Sequence, residues 1–347
     1  MKSVVELMKK DIVLCIAWML AIASAFVVHP SAEYIEYIDF RTLAILWSLM
    51  VIVQAFRDRN AFEVIGQSLL KRTEYIWQLA AVLIFLCFFS SMFITNDVAL
   101  ITFVPFTIMI LKHCDRSDLM IPVIVLQTIA ANLGSMMTPI GNPQNLYLYG
   151  LSDIEFGSFV ALVAPYTVIS GVLLAVCIFF LKGRSKKLDS DIDSSEEIDG
   201  GFSLVLDAIC FIVAILVVLR ILPCSILVVA VLAVSLMCHR STLGKVDYSL
   251  LLTFAGFFIF TGNMSNIPAI SQGLESVVAG HELMTGVIVS QGISNVPASL
   301  LLSGFSDNLT NLILGVNFGG LGTLIASMAS LISYKLYAEE AGAQTGR

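Results

Sequence analysis

Apolar and polar positions fall in long blocks along this chain, without the strict alternation of a strand or the one-sided stripe of a soluble helix. A helix that crosses a bilayer needs about 20 mainly apolar residues, and shorter runs are tolerated where protein buries them. Such runs lie at 12–28, 43–56, 75–94, 98–111, 119–137, 156–181, 202–222, 225–237, 250–261, 283–293, 298–305 and 309–334. Two neighbouring pairs are divided by breaks too short for an aqueous loop, TND at 95–97 and SNVP at 294–297. These breaks predict re-entrant hairpins over 75–112 and 281–306, with tips near the bilayer midplane. The stretches 119–150 and 309–334 carry Gly, Pro and Ser inside apolar sequence, which predicts two discontinuous helices. The expected fold is an all-α polytopic membrane protein with about eight transmembrane helices.

Composition agrees with this pattern. Apolar residues form 58% of the 347 and charged residues 13%, so little polar surface is left to coat a water-soluble fold. The mean hydropathy is +0.91. A soluble enzyme, a secreted disulfide module, a disordered regulator and a nucleic-acid-binding protein are excluded as classes. Seven scattered cysteines contain no C-x-x-C pair and read as small core residues, and four histidines lack metal-ligand spacing. The basic, small-residue start imitates a signal peptide, but with so many later spans a retained first helix is expected. The net charge of −7 owes much to LDSDIDSSEEIDGG, read as a solvated linker at 183–201 between two halves, 1–182 and 202–347.

Charge also orients the chain, because Lys and Arg concentrate in short cytoplasmic loops. With the N-terminus inside and both hairpins re-entrant, 17 of the 19 basic residues fall on the cytoplasmic side, all but Arg41 and Arg220. The C-terminus is then cytoplasmic too, in the cell (inner or plasma) membrane. Lys71, Arg72, Lys112 and Arg116 flank the first hairpin, which predicts entry from the cytoplasm. Glu275, Glu282 and Asp307 flank the second, which predicts entry from outside.

Opposed hairpins suggest inverted repeats, and the sequence carries weak internal similarity at the breaks. SMFITNDVA at 91–99 parallels SQGISNVPA at 290–298. NLGSMMTPIGNPQNLYLY at 132–149 parallels NFGGLGTLIASMASLISY at 317–334, sharing Asn132/Asn317, Gly134/Gly319 and Thr138/Thr323. Broken helices leave unpartnered carbonyls that suit a cation and amides that suit an anion. Ser91 and Thr95 share a helical face, as do Ser290 and Ser294, while Asn96 and Asn295 occupy the two tips. Oxygen-only ligands favour a hard ion such as Na⁺. Asp97 is a carboxylate inside the membrane, costing at least about 2.5–3.5 kcal/mol on insertion scales, and a functional role is the default. Its bland alternative is a cap on the second hairpin arm. Asp207, near a cytoplasmic helix end, is expected to reach interfacial water.

The paired TNDVAL and SNVPAS tips, GNPQN and GVNFGGLGTLIASMAS resemble the ion transporter superfamily of divalent-anion/sodium symporters, citrate transporters, arsenite permeases and D-type sodium/proton antiporters. The resemblance implies a secondary transporter of a small inorganic or carboxylate anion, coupled to Na⁺ or H⁺ by alternating access and without other cofactor. It implies one cation site at Ser91, Thr95, Asn96 and backbone near Gly141, and a second at Ser290, Ser294, Asn295 and backbone near Ala326. Substrate is implied between Asn96 and Asn295, with Asn142 and Ser327 from the unwound helices and Asp97 beside them. The anion symporters carry Thr where this chain has Asp97 and Val296, and TND tips are closer to the arsenite-permease and antiporter branches. A sodium/proton antiporter using Asp97 is the alternative, and a homodimer is a further expectation. No G-x-S-x-G, H-E-x-x-H or G-x-x-x-x-G-K-S/T is present, so an intramembrane enzyme finds no support and any ATP hydrolysis must come from a partner.

Overall fold

The computed structural model describes residues 12–70, 73–187 and 201–340. The expected linker lies outside the described residues between 188 and 200, as do Lys2, Lys9, Lys10, Lys71, Arg72 and Arg347. What is described is helical, with one isolated bridge between Tyr75 and Lys187. Six helices are long and apolar enough to span a membrane, and four shorter ones are apolar.

The first half begins with α1 (Ile12–Ala25), a short α2 (Glu33–Glu36), the long α3 (Phe40–Asp58) and α4 (Ala61–Leu70). A helical hairpin of α5 (Ile76–Ser90) and α6 (Asn96–His113) follows. Then α7 (Met120–Ser135) and α8 (Pro143–Leu151) form a helix broken at GNPQN, and α9 (Phe156–Phe179) closes the half. The second half contains α10 (Gly201–Val218), α11 (Cys224–Cys238), α12 (Arg240–Leu243), α13 (Tyr248–Ser265) and α14 (Pro268–Val278). A second hairpin of α15 (Glu282–Ile293) and α16 (Asn295–Ser303) leads into the broken pair α17 (Leu309–Gly319) and α18 (Met328–Ala338).

Local chemistry sets the breaks. Pro143 occupies the first turn of α8, where its missing N–H costs nothing, and the Asn142 side chain caps that helix by accepting from the Asn145 amide. Ser327 caps α18 by accepting from the Ala329 amide. Gly322, between α17 and α18, has φ +129, a conformation that side-chain-bearing residues rarely adopt. At 1.5 Å per residue α15 and α16 are about 18 and 14 Å long, too short to cross a hydrocarbon core of about 30 Å. By the same measure α6 reaches about 27 Å, so the two hairpins are unequal.

Packing follows one pattern in both halves. The first hairpin arm lies along the first part of its own broken helix, α5 on α7 and α15 on α17. The second arm meets the end of the other half's broken helix, α6 on α18 and α16 on α8. One apolar core, including Leu83, Leu100, Phe103, Val123 and Ala329, surrounds the first hairpin. The other joins α3, α10, α11, α13, α16 and α17 through Ile45, Ala214, Val231, Phe254, Leu300 and Leu312.

Two features depart from sequence-based expectation, and a third concerns the two exceptions to the charge pattern. Helices α4 and α14 form outside the predicted apolar runs. Asp207 does not reach interfacial water; it is buried, ion-paired to Arg59 Nη1, with His239 Nε2 2.9 Å from its second oxygen. The cause is the ends of α3 and α11, which bring those side chains against α10. The third concerns Arg41 and Arg220, the two bases outside the charge pattern. Arg41 donates to the Val217 carbonyl, and Arg220 to those of Tyr149 and Ser152. Both serve helix C-terminal carbonyls, where positive charge is favoured.

Candidate functional site

The two hairpin tips carry a matched set of hydrogen bonds. At the first tip α5 ends at Ser90, five residues turn, and Thr95 in extended conformation precedes Asn96, the first residue of α6. The backbone amide of Asn96 donates to the Gly141 carbonyl at 3.1 Å. At the second tip α15 passes into α16 through Ser294 alone, and the amide of Asn295 donates to the Ala326 carbonyl at 2.9 Å. Gly141 and Ala326 are equivalent in the internal sequence comparison. So are the donors of a second pair of bonds, Thr138 Oγ1 to the Met92 carbonyl and Thr323 Oγ1 to that of Gln291. Each tip is thus tied twice to the unwound segment that follows it.

Glycine permits this approach. A Cβ on Gly134 would sit 2.1 Å from the Phe88 carbonyl oxygen and 2.7 Å from Ser91 Oγ. One on Gly319 would sit 2.7 Å from Ser290 Oγ.

Side chains of the unwound segments then cross between the halves. Asn142 Nδ2 donates to Asn317 Oδ1 at 3.1 Å, and Ser327 Oγ donates to Asn132 Oδ1 at 2.9 Å. Positions 142 and 327 correspond in the repeat comparison, as do 317 and 132, so these bonds are mates. Asn132 Oδ1 also accepts from Asn96 Nδ2 at 3.1 Å, and Asn317 Nδ2 donates to Asn145 Oδ1 at 2.6 Å. Asn142 reaches Ser135 Oγ as well. The result is a buried network of amides and hydroxyls drawn from α6, α7, α8, α17 and the start of α18. No Lys or Arg hydrogen-bonds to it among the described residues.

The predicted site residues fall in and around this network. Asn96, Asn142 and Ser327 belong to it directly. Asn295 is buried at the second tip, anchored there through its backbone. Ser91 and Ser290 are fully buried, with each hydroxyl donating to a carbonyl of its own helix, Phe88 and Gly286. Their oxygens keep lone pairs for a cation, as do the carbonyls of Gly141 and Ala326. Thr95 and Ser294 precede the second arms without forming side-chain caps. Ser294 has φ +77 and ψ 151, a region natural to glycine, so the tip stores strain of order 1–3 kcal/mol.

Asp97 lies in the first turn of α6 with Oδ1 buried and, among the described residues, without a hydrogen-bond partner. It accepts no backbone amide, so the capping alternative is absent from this geometry. Residue-by-residue reading of the sequence missed Asn132, Asn317, Asn145 and Ser135 as members of the site. The signal was present for two of them, since Asn132 and Asn317 are matched asparagines inside apolar helices.

The class that the fold defines is an all-α polytopic membrane protein, with two helical tips folded onto two broken helices around buried polar groups. The comparisons place it more narrowly: the citrate transporter family model matches residues 3–311, and the chain belongs to that family. It is similar to an uncharacterized transporter of Methanocaldococcus jannaschii, 34% identical over 314 residues, 89% of this chain and 84% of the relative. The inner membrane protein YbiR of Escherichia coli is 31% identical over 320 residues, 90% of this chain and 84% of its own. The silicon efflux transporter LSI3 of Oryza sativa subsp. japonica is 27% identical over 168 residues, 47% of this chain and 33% of its own.

Proposed function

We propose that this transporter is a secondary carrier of a small oxyanion, or of the acid from which that anion derives, driven by Na⁺ or H⁺ through alternating access. The observation that carries the reading is the buried network joining Asn96, Asn132, Asn142, Asn317 and Ser327, contributed by both halves and free of bases. Amides and hydroxyls can both donate to and accept from a hydroxylated acid, whereas a polyvalent carboxylate would need compensating positive charge. The relative named for silicon efflux fits the same chemistry. The matched bonds at the tips support an inverted repeat, in which the two hairpins open to opposite faces of the cell membrane. The cation would rest on oxygens at Ser91, Thr95 and Gly141, with a mate at Ser290, Ser294 and Ala326.

A second reading, sodium/proton antiport, is favoured by the unpartnered oxygen of Asp97. Proteoliposomes with Na⁺ and pH gradients imposed separately decide between them. Gradient-driven uptake of an oxyacid supports the first. Na⁺ movement against a pH gradient with no solute requirement replaces it with the second.

A further inference from the structure

A cavity of about 530 Å³ lies between α7, α18 and the segment 321–324 that precedes α18, with Asn132 in its lining. That volume is in the range of small-molecule sites. Its two walls differ in kind. The α18 wall presents Ser330, Ser333, Tyr334 and Tyr337, a spacing that puts four hydroxyls on one face of the helix. The α7 wall is apolar at Ile121, Ile124 and Val125 and becomes polar only at Thr128 and Asn132. Among the described residues no charged side chain lines the cavity. Ser333 is 3% exposed, and its buried Oγ has no hydrogen-bond partner among the described residues. A buried hydroxyl without a partner is costly, and a row of hydroxyls facing lipid would be costlier still.

The position of the cavity gives it a direction. Ile121 and Tyr337 lie at the end of the bundle where Lys112 pairs with Glu340 and Arg116 with Asp118. From Ile121 to Asn132 the helix rises about 16 Å. The lining therefore extends from the charged end of the bundle to the residue whose Oδ1 accepts from both Asn96 and Ser327.

We propose that this cavity is the vestibule through which an uncharged, hydroxylated solute reaches the asparagine network, passed along the hydroxyls of α18. The inference rests on the oxyacid reading above and sharpens it, since no described residue of the walls carries a charge to balance that of an anion. Hydroxyl groups on the solute can give and take hydrogen bonds at each step.

The test uses the full chain with its seven cysteines replaced and Ser333→Cys introduced, in sealed vesicles of either orientation. Ile169→Cys, on the exposed face of α9, serves as the lipid-facing control. An uncharged dihydroxypropyl methanethiosulfonate should modify position 333 faster than position 169 and from one side only. The anionic sulfonatoethyl reagent should leave position 333 unmodified. Boric acid, neutral and hydroxylated at pH 7, should slow the reaction, and citrate should not. Modification no faster than at position 169 makes the cavity a lipid groove and overturns the proposal. Equal reaction with the anionic reagent, or protection by citrate alone, overturns its selection for uncharged solutes. Labelling needs no transport, so the expected labelling with no gradient-driven uptake would sink the carrier reading and leave the vestibule standing. In the otherwise native chain, Ser333→Ala should slow uptake by about fivefold, the effect of one lost hydrogen bond.

Discussion

At the scale of the residue, the site is unusual in its dependence on asparagine. An amide side chain donates and accepts at once, so Asn132 can bind one half of the molecule through Asn96 and the other through Ser327. Asn96 and Asn295 stand at corresponding tip positions, and their tips are fixed by backbone bonds that alanine would retain. Asn96→Ala and Asn295→Ala should therefore insert normally and lose transport. Wild-type uptake by both variants at normal abundance would remove the tips from the site. Asp97 is argued differently, because no described residue hydrogen-bonds to its Oδ1. Asp97→Asn keeps the shape and removes the charge, so gradient-driven accumulation should be lost while solute exchange persists. Full accumulation by that variant would leave coupling to another group. Sequence alone pointed to Asn96, Asn295 and Asp97 because each interrupts an apolar run. Asn132 and Asn317 sit within runs, and their role depends on partners far along the chain, which hydropathy does not encode.

Among the elements, the closest contacts are made where glycine replaces a side chain. Gly134→Ala would drive a methyl group into the Phe88 carbonyl and separate α7 from α5. Overpacking of this kind costs about 1–3 kcal/mol or more, so the thermal midpoint in detergent and the uptake rate should both fall. Gly292→Ala, with nothing within 4 Å of the added carbon, is the matched control and should change neither. The apolar contact of α3, α10 and α11 also encloses the buried Arg59–Asp207 pair with His239 beside it. Asp207→Ala leaves an unpaired buried guanidinium and should destabilise the fold by about 3–5 kcal/mol, read as a lowered unfolding midpoint. A midpoint equal to wild type would mean that Arg59 finds water instead. The helices themselves were legible as apolar runs, and their breaks as clusters of Gly, Pro, Asn and Ser. This ion pair was not, since its partners are separated by 148 residues.

For the whole molecule, the question is how the two halves face the membrane. The arrangement of charged residues predicts that the first hairpin opens to the cytoplasm and the second to the outside. Single cysteines at Lys112 and Asp307 in a cysteine-free background should label from opposite faces. Labelling of both from one face would dismiss the inverted repeat and alternating access with it. Two of the described bonds at each tip match position by position, although the segments share few residues. What the halves have in common is a set of backbone and hydroxyl contacts, which tolerate substitution better than side-chain packing does.

The bond between Ser327 and Asn132 joins residues 195 positions apart. A ribosome adding about 5–20 residues each second reaches Ser327 roughly 10–40 s after Asn132. Throughout that interval the amide of Asn132 is in the membrane without one of its two final donors, and Asn142 still lacks Asn317. The first half therefore leaves the translocon unfinished, with polar groups that water, lipid headgroups or an insertion chaperone must satisfy in the meantime. Synthesis of the segment from Asn317 to Ser327 is what closes the centre of the protein.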